Sequence, residues 1–235
     1  YTTGNTLSLH DALPISASTI KVGILIDYFK ELDTTPSQDD AWLMANSLLC
    51  SQNSTSNLIM ESILGAGEQF EGIASVTDVM QFIGAQNTFL TAPFIDGSAG
   101  QQLGSIPAPP TSPNPNFNTE PDAFNQTTAE DIGTMFSMIY DCANYGSGLM
   151  TAYPNEFTQQ ECRQMLELMS ANDLERLLQG GVPADVRIAH KNGWAFETVG
   201  NAGIVFPANG RDYVIAVFLW EDTGDRGFQD HVSLW

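Results

Sequence analysis

Ser18-Thr19-Ile20-Lys21, Ser51-Gln52-Asn53 and Lys191-Asn192-Gly193-Trp194 are the stretches on which the fold of this chain turns. The chain holds three lysines; one closes the first stretch and another opens the last. The ordered set reads Ser-x-x-Lys, Ser-x-Asn, Lys-x-Gly. Each piece alone is common. All three in this order, in a chain so poor in lysine, point to a serine hydroxyl activated by a nearby amine.

Residues 18–32 predict a helix, because Ile20, Ile24, Leu25, Tyr28, Phe29 and Leu32 recur at helical spacing. Ser18 then falls in its first turn, with Lys21 one turn later on the same face. Asp33-Thr34-Thr35-Pro36-Ser37 reads as a stop, and Asp39 or Asp40 is expected to cap a helix to about Leu49. Ser51-Gln52-Asn53 sits in a short connector, followed by a helix over about 54–64 that Gly65 and Gly67 end. Another helix is expected over about 76–85. Seven prolines between 93 and 125 exclude regular helix and predict a long loop, functional or disordered. Thr127-Thr128-Ala129-Glu130 is a capping-box pattern opening a helix to about Tyr145, and shorter helices are expected near 158–169 and 173–179.

The period then changes. Segments 186–191, 202–206 and 213–220, rich in Val, Ile and aromatics, read as three strands, the last two joined through Pro207-Ala208-Asn209-Gly210. A helical part over about 18–179 followed by strands over about 185–220 predicts an α+β layout in one domain.

At 43% hydrophobic and 10% aromatic residues, the chain has the composition of a globular protein. A net charge of −20 argues against a nucleic-acid partner, which needs a basic footprint. No segment approaches the roughly 18 apolar residues of a membrane span. Cys50, Cys142 and Cys162 follow no metal-binding spacing; one disulfide, as between Cys142 and Cys162, or none at all, fits an odd count. No metal or other cofactor is expected.

Residues 1–15 stand apart. Thr6-Leu7-Ser8-Leu9-His10-Asp11-Ala12-Leu13-Pro14-Ile15 back-translates codon by codon into a short-read sequencing adapter. The segment is therefore expected to be translated adapter, with the native sequence over 16–235 and the true N-terminus missing.

On the three motifs, the chain resembles the class A-like branch of the β-lactamase and penicillin-recognising serine hydrolases. Asn57, four residues after Asn53, matches the Ser-x-Asn-x-x-x-Asn pattern of that family, and 181–205 is similar to its third and fourth strands. The resemblance implies a β-lactamase/transpeptidase-like fold that opens β-lactam or related amide bonds through an acyl-Ser18 ester. It implies Lys21 as the base for Ser18, Lys191 as the cation that keeps Lys21 neutral, and Ser51 as the proton relay to the leaving nitrogen. Asn53, Asn192, Gly193 and Trp194 would contact substrate, with the N–H groups of Ser18 and Trp194 as the oxyanion hole, and Asn57 would support the site. Such donors stabilise a transition state by about 3–4 kcal/mol each.

The alternatives are a D-alanyl peptidase or transpeptidase acting on cell-wall peptides, a β-lactam sensor that is acylated but not turned over, and a degenerate homologue. The family location is extracytoplasmic, and a monomer is expected.

Departures from the pattern bear on the second step and on specificity. Glu120-Pro121-Asp122-Ala123-Phe124-Asn125 is similar to the family's Glu-Pro-x-x-Asn loop but has its Asn one position late, so Glu120 is a candidate deacylating base. Gln52 stands where aspartate is usual, Asn192 where threonine or serine would hold a carboxylate, and Asn201 or Ala202 where an arginine often stands. Anionic antibiotics are therefore expected to bind less well. The family fold also has two strands before the nucleophile's helix and a helix after the last strand. Without them the outer edge of 213–220 is expected to be bare, an aggregation hazard.

Other residues receive plain structural readings. His190 is expected to pack beside the Lys-x-Gly motif, and His231 with Glu221, Asp222 and Asp225 makes no triad by spacing. The methionines and aromatics over 135–140 are expected in the core, and Lys30 as a solvated charge at a helix end.

Overall fold

Helix α1 (Lys21–Lys30), entered through a 3-10 turn over Ala17–Ile20, is buried along all of Lys21–Phe29. A helix apolar on nearly every side belongs inside a core. Lys21 and Asp27 are the charged exceptions, both fully buried. The computed structural model describes residues 16–32, 35–94, 124–174, 177–194 and 198–220.

Around α1 pack α2 (Gln38–Leu48), a π-helical turn over Ile59–Leu64 and α4 (Gln69–Phe82), and α3 (Asn53–Leu58) packs on α2 and the π turn. Two short strands, β1 (Phe89–Leu90) and β2 (Asn125–Gln126), pair antiparallel. Next come α5 (Ala129–Tyr145), α6 (Leu149–Ala152), α7 (Gln159–Ser170) and α8 (Leu177–Gly180). The strands β3 (Arg187–Trp194), β4 (Thr198–Phe206) and β5 (Tyr213–Trp220) form an antiparallel sheet in the order β3-β4-β5.

Helices α5 and α7 pack on each other and on the sheet, whose inner-face residues Ala189, Ala202 and Ile204 join the main core. On the opposite face, Ile188 and Val205 pack with Leu178 of α8 in a smaller cluster. The α+β layout and the three strands follow the sequence reading, as does the burial of Met135 and Phe136, while Met138 and Tyr140 pack on the core half-buried. No helix among the described residues is long and apolar enough to cross a membrane.

The differences have local causes. Ser18 lies in the 3-10 turn rather than in α1, because the Thr19 N–H and hydroxyl both donate to Ser16 O and tighten the turn. Ser37, not Asp39 or Asp40, caps α2; its hydroxyl accepts from Asp40 N at 3.1 Å. Thr128 caps α5 and accepts from Asp131 N, so the third helical residue is Asp131 and Glu130 closes no capping box. A capping box forms instead between Thr158 and Glu161 at α7.

Helix α4 begins seven residues before the expected 76. Gly72 lets its first turn lie directly on the π turn, where an added Cβ would meet Met60 O at 1.8 Å. Lys30 is half-buried and paired with Glu31 and with the buried Asp27 at 3.7 Å, so it is not a freely solvated charge.

Cys142 of α5 and Cys162 of α7 are disulfide-bonded across 20 residues, and Cys50 is free and exposed. A loop of that length limits the unfolded chain by about 3 kcal/mol. Cys142→Ala should therefore lower the unfolding free energy in urea by about that amount. In the parent protein a thiol reagent should titrate Cys50 alone before denaturation.

Candidate active site

The 3-10 turn places Ser18, half-buried, one turn ahead of Lys21. The residue before it, Ala17, has φ +45°, the left-handed region that a side chain resists. Such a residue costs about 1–3 kcal/mol and persists where its surroundings hold it. Asn125 of β2 does the holding. Its Oδ1 accepts from Ser16 Oγ, its Nδ2 donates to Ala17 O at 3.1 Å, and its backbone O accepts from Ser16 N.

Ser51 is the second non-glycine residue of the site with positive φ, +54°. It occupies the connector between α2 and α3, and the two buried lysines converge on it. Lys21 Nζ donates to Ser51 O at 2.7 Å and to Asn53 Oδ1 at 3.0 Å. Lys191 Nζ, arriving from β3, donates to Ser51 Oγ at 3.1 Å. Asn53 opens α3, and Gln52 ahead of it is exposed. Lys21 Nζ also lies 4.8 Å from the centre of the Phe94 ring, a cation–π distance. Asn57 fixes the backbone of Phe94 in both directions, donating to its O at 2.8 Å and accepting from its N at 2.9 Å.

Lys191 is fully buried, and burial pushes its ammonium down to about 7. Besides Ser51 Oγ, its Nζ donates to Asn192 O at 2.8 Å and to Asn192 Oδ1 at 3.2 Å. A folded-state value below the ordinary 10.5 means that burying the charge works against folding in full below about pH 7. That opposition fades as pH rises from 7 towards 10.5, where the unfolded chain also gives up the proton.

At the far end of β3, Gly193 presses on the turn that carries Ser18. A Cβ there would meet Ser18 N at 2.6 Å and Thr19 N at 2.8 Å, so only glycine admits this approach. Trp194 follows it, more than a third exposed at the strand end.

Lys21, Ser51, Asn53, Lys191 and Asn192 thus share one hydrogen-bonded cluster beside Ser18, with Gly193 against the Ser18 N–H. Glu120 lies outside the described residues. His190 is buried in the strand, as its sequence position suggests. Two contributors escaped the sequence reading, the grip of Asn125 on the residues before Ser18 and the Phe94 ring beside Lys21. Asn125 is adjacent to a proline-rich loop, and nothing in its spacing announces a partner 109 residues away.

A sequence profile of the Beta-lactamase enzyme family matches residues 38–231, and the chain belongs to that family. The matched range starts after Ser18 and Lys21, so these two rest on motif and geometry.

Solved structures share the fold. The β-lactamase from Streptomyces albus G is 16% identical with a TM-score of 0.68, covering 97% of this chain and 84% of that one. A reconstructed ancestral class A β-lactamase is 18% identical with a TM-score of 0.64, covering 96% and 84%. The protein described as PBP-A is 20% identical with a TM-score of 0.63, covering 95% and 80%. No curated protein sequence matches.

Two outcomes test this geometry. Gly193→Ala forces β3 off the Ser18 turn, and if a penicillin acylates Ser18 that step should slow by about a hundredfold, the scale of a 1 Å misplacement. If the Lys191 charge assists that step, its rate should fall as pH rises through about 7. Lys191→Arg, which stays charged, should lose that alkaline limb.

Proposed function

We propose that this protein is a serine hydrolase that opens β-lactams or related amides through an ester on Ser18. The observation that carries this reading is the meeting of two buried amines at Ser51, one of which, Lys21, stands a turn after Ser18. Two amines packed this closely disfavour a second charge, so with Lys191 protonated Lys21 is held neutral and able to take the Ser18 proton. Ser18 Oγ then bonds to the amide carbon, and the carbonyl oxygen takes up negative charge facing the N–H groups of Ser18 and Trp194. As the carbon–nitrogen bond breaks, the Ser51 hydroxyl delivers a proton to the leaving nitrogen. Lys21 passes the proton it took to the Ser51 oxygen, restoring both groups, and Asn53 holds the substrate amide beside it.

Glu120 is proposed as the base that activates the deacylating water. A second reading, acylation without turnover, is favoured by one comparison. A mutant of PBP-A, the fold neighbour described above, is known as an acyl-enzyme complex with penicillin G, at 20% identity and a TM-score of 0.63. The Cys142–Cys162 bond suits an oxidising compartment and supports an extracytoplasmic location.

Intact-mass analysis after incubation with penicillin G should show a penicilloyl adduct on the parent protein and none on Ser18→Ala. An unlabelled parent protein, beside a labelled positive control, would overturn the reading. Turnover of a chromogenic cephalosporin is expected for a hydrolase, and a persistent adduct without turnover identifies the sensor alternative.

A further inference from the structure

His190, Asn192 and Asn201 stand on the sheet face turned away from Lys191, close to Asn172, which follows α7. All four are buried. Nε2 of His190 lies 3.1 Å from the backbone O of Asn172. A carbonyl oxygen only accepts, so Nε2 carries a proton. Nδ1 lies 3.2 Å from Asn201 Oδ1. Acceptors at both ring nitrogens would suit an imidazolium. Burial, with the Lys191 charge adding to it, instead holds the ring below the ordinary histidine range, against the opposing pull of Asn201 and Asn172. A neutral ring with Nε2–H has a bare Nδ1, which calls for a donor.

Turning the Asn201 carboxamide end over end supplies that donor, since its two ends have the same shape. The same turn removes a second anomaly. Nδ2 of Asn192 and Nδ2 of Asn201 are buried with no partner, and an orphaned buried donor costs about 1–3 kcal/mol. The two residues are direct cross-strand partners, whose Cβ atoms in such pairs lie about 4.5–5.5 Å apart. The turn puts Asn201 Oδ1 where its orphaned Nδ2 stood, an acceptor on the residue directly across from Asn192.

We infer that these four residues close a ring of hydrogen bonds that makes His190 a positioning residue for Lys191 and removes Asn192 from substrate binding. Asn192 Nδ2 donates to Asn201 Oδ1, Asn201 Nδ2 to His190 Nδ1, and His190 Nε2–H to Asn172 O. Asn172 Nδ2 completes the circuit to Asn192 Oδ1 at 3.3 Å, the oxygen that also takes Lys191 Nζ at 3.2 Å. The strand position expected to hold a substrate carboxylate thus has both amide ends engaged within the protein. The positioning role rests on the proposed function; the hydrogen-bond pattern does not.

Long-range proton–nitrogen NMR on the histidine-labelled parent protein at neutral pH tests the pattern directly. A protonated Nε2 with a bare Nδ1 is expected for His190; an Nδ1–H tautomer or an imidazolium overturns the ring. Asn201→Leu leaves neither donor nor acceptor at that position, so the His190 Nδ1 resonance should shift from its parent value. A spectrum unchanged from the parent would sink the assignment. Asn201→Ala should slow penicillin acylation of Ser18 by roughly tenfold, the weight of one well-placed hydrogen bond. An unchanged acylation rate overturns the positioning role even where the NMR pattern holds. A parent protein that is never acylated removes that role together with the functional reading, while the tautomer result stands apart.

Discussion

Lys21 reaches the carbonyl of Ser51 and Lys191 reaches its hydroxyl, so a single connector residue gathers both buried amines of the site. An amine in a dry interior is tolerated only when oxygens surround it or its proton leaves. Much of the surrounding structure follows from that demand. The connector bends into the left-handed region to offer Ser51 O inward. Asn53 starts its helix where its carboxamide oxygen meets Lys21, and Asn192 turns a backbone and a side-chain oxygen towards Lys191.

The same economy appears around Ser18. Its turn is pressed from one side by Gly193, where no side chain fits, and gripped from another by Asn125, whose carboxamide spans Ser16 and Ala17. Two of the four non-glycine residues with positive φ among the described residues, Ala17 and Ser51, lie in this small region. Backbone strain gathered there is held by contacts from distant elements, the arrangement expected where side chains must be placed with little freedom. The apolar burial of α1 beneath the site provides the rigid base on which this depends.

The sheet contributes in two distinct ways. Its inner face carries Lys191 into the cluster and packs Ala189, Ala202 and Ile204 on the helices. Its outer face holds a buried polar group, His190, Asn192, Asn201 and Asn172. A buried polar group of this kind is stable only when its members satisfy one another, and it then fixes orientation more sharply than packing does. Lys191 lies at the boundary of the two faces and takes oxygens from both.

The sequence by itself determined the class of fold and singled out the candidate chemical groups. The order of Ser18, Lys21, Ser51, Asn53, Lys191 and Gly193 is a chemical pattern legible without coordinates, and a change of hydrophobic period marks where helices give way to strands. Local signals were weaker at boundaries: the caps at Ser37 and Thr128 and the early start of α4 depend on which N–H or backbone surface a neighbour presents. Tertiary structure alone decided the fully buried state of Lys191, the reach of Asn125 to the turn before Ser18, the Phe94 ring over Lys21, and the polar ring behind β3. These are contacts between residues from about ten to more than a hundred positions apart, and the desolvation that shifts Lys191 belongs to the whole packed interior. No periodicity or spacing in the chain can encode it.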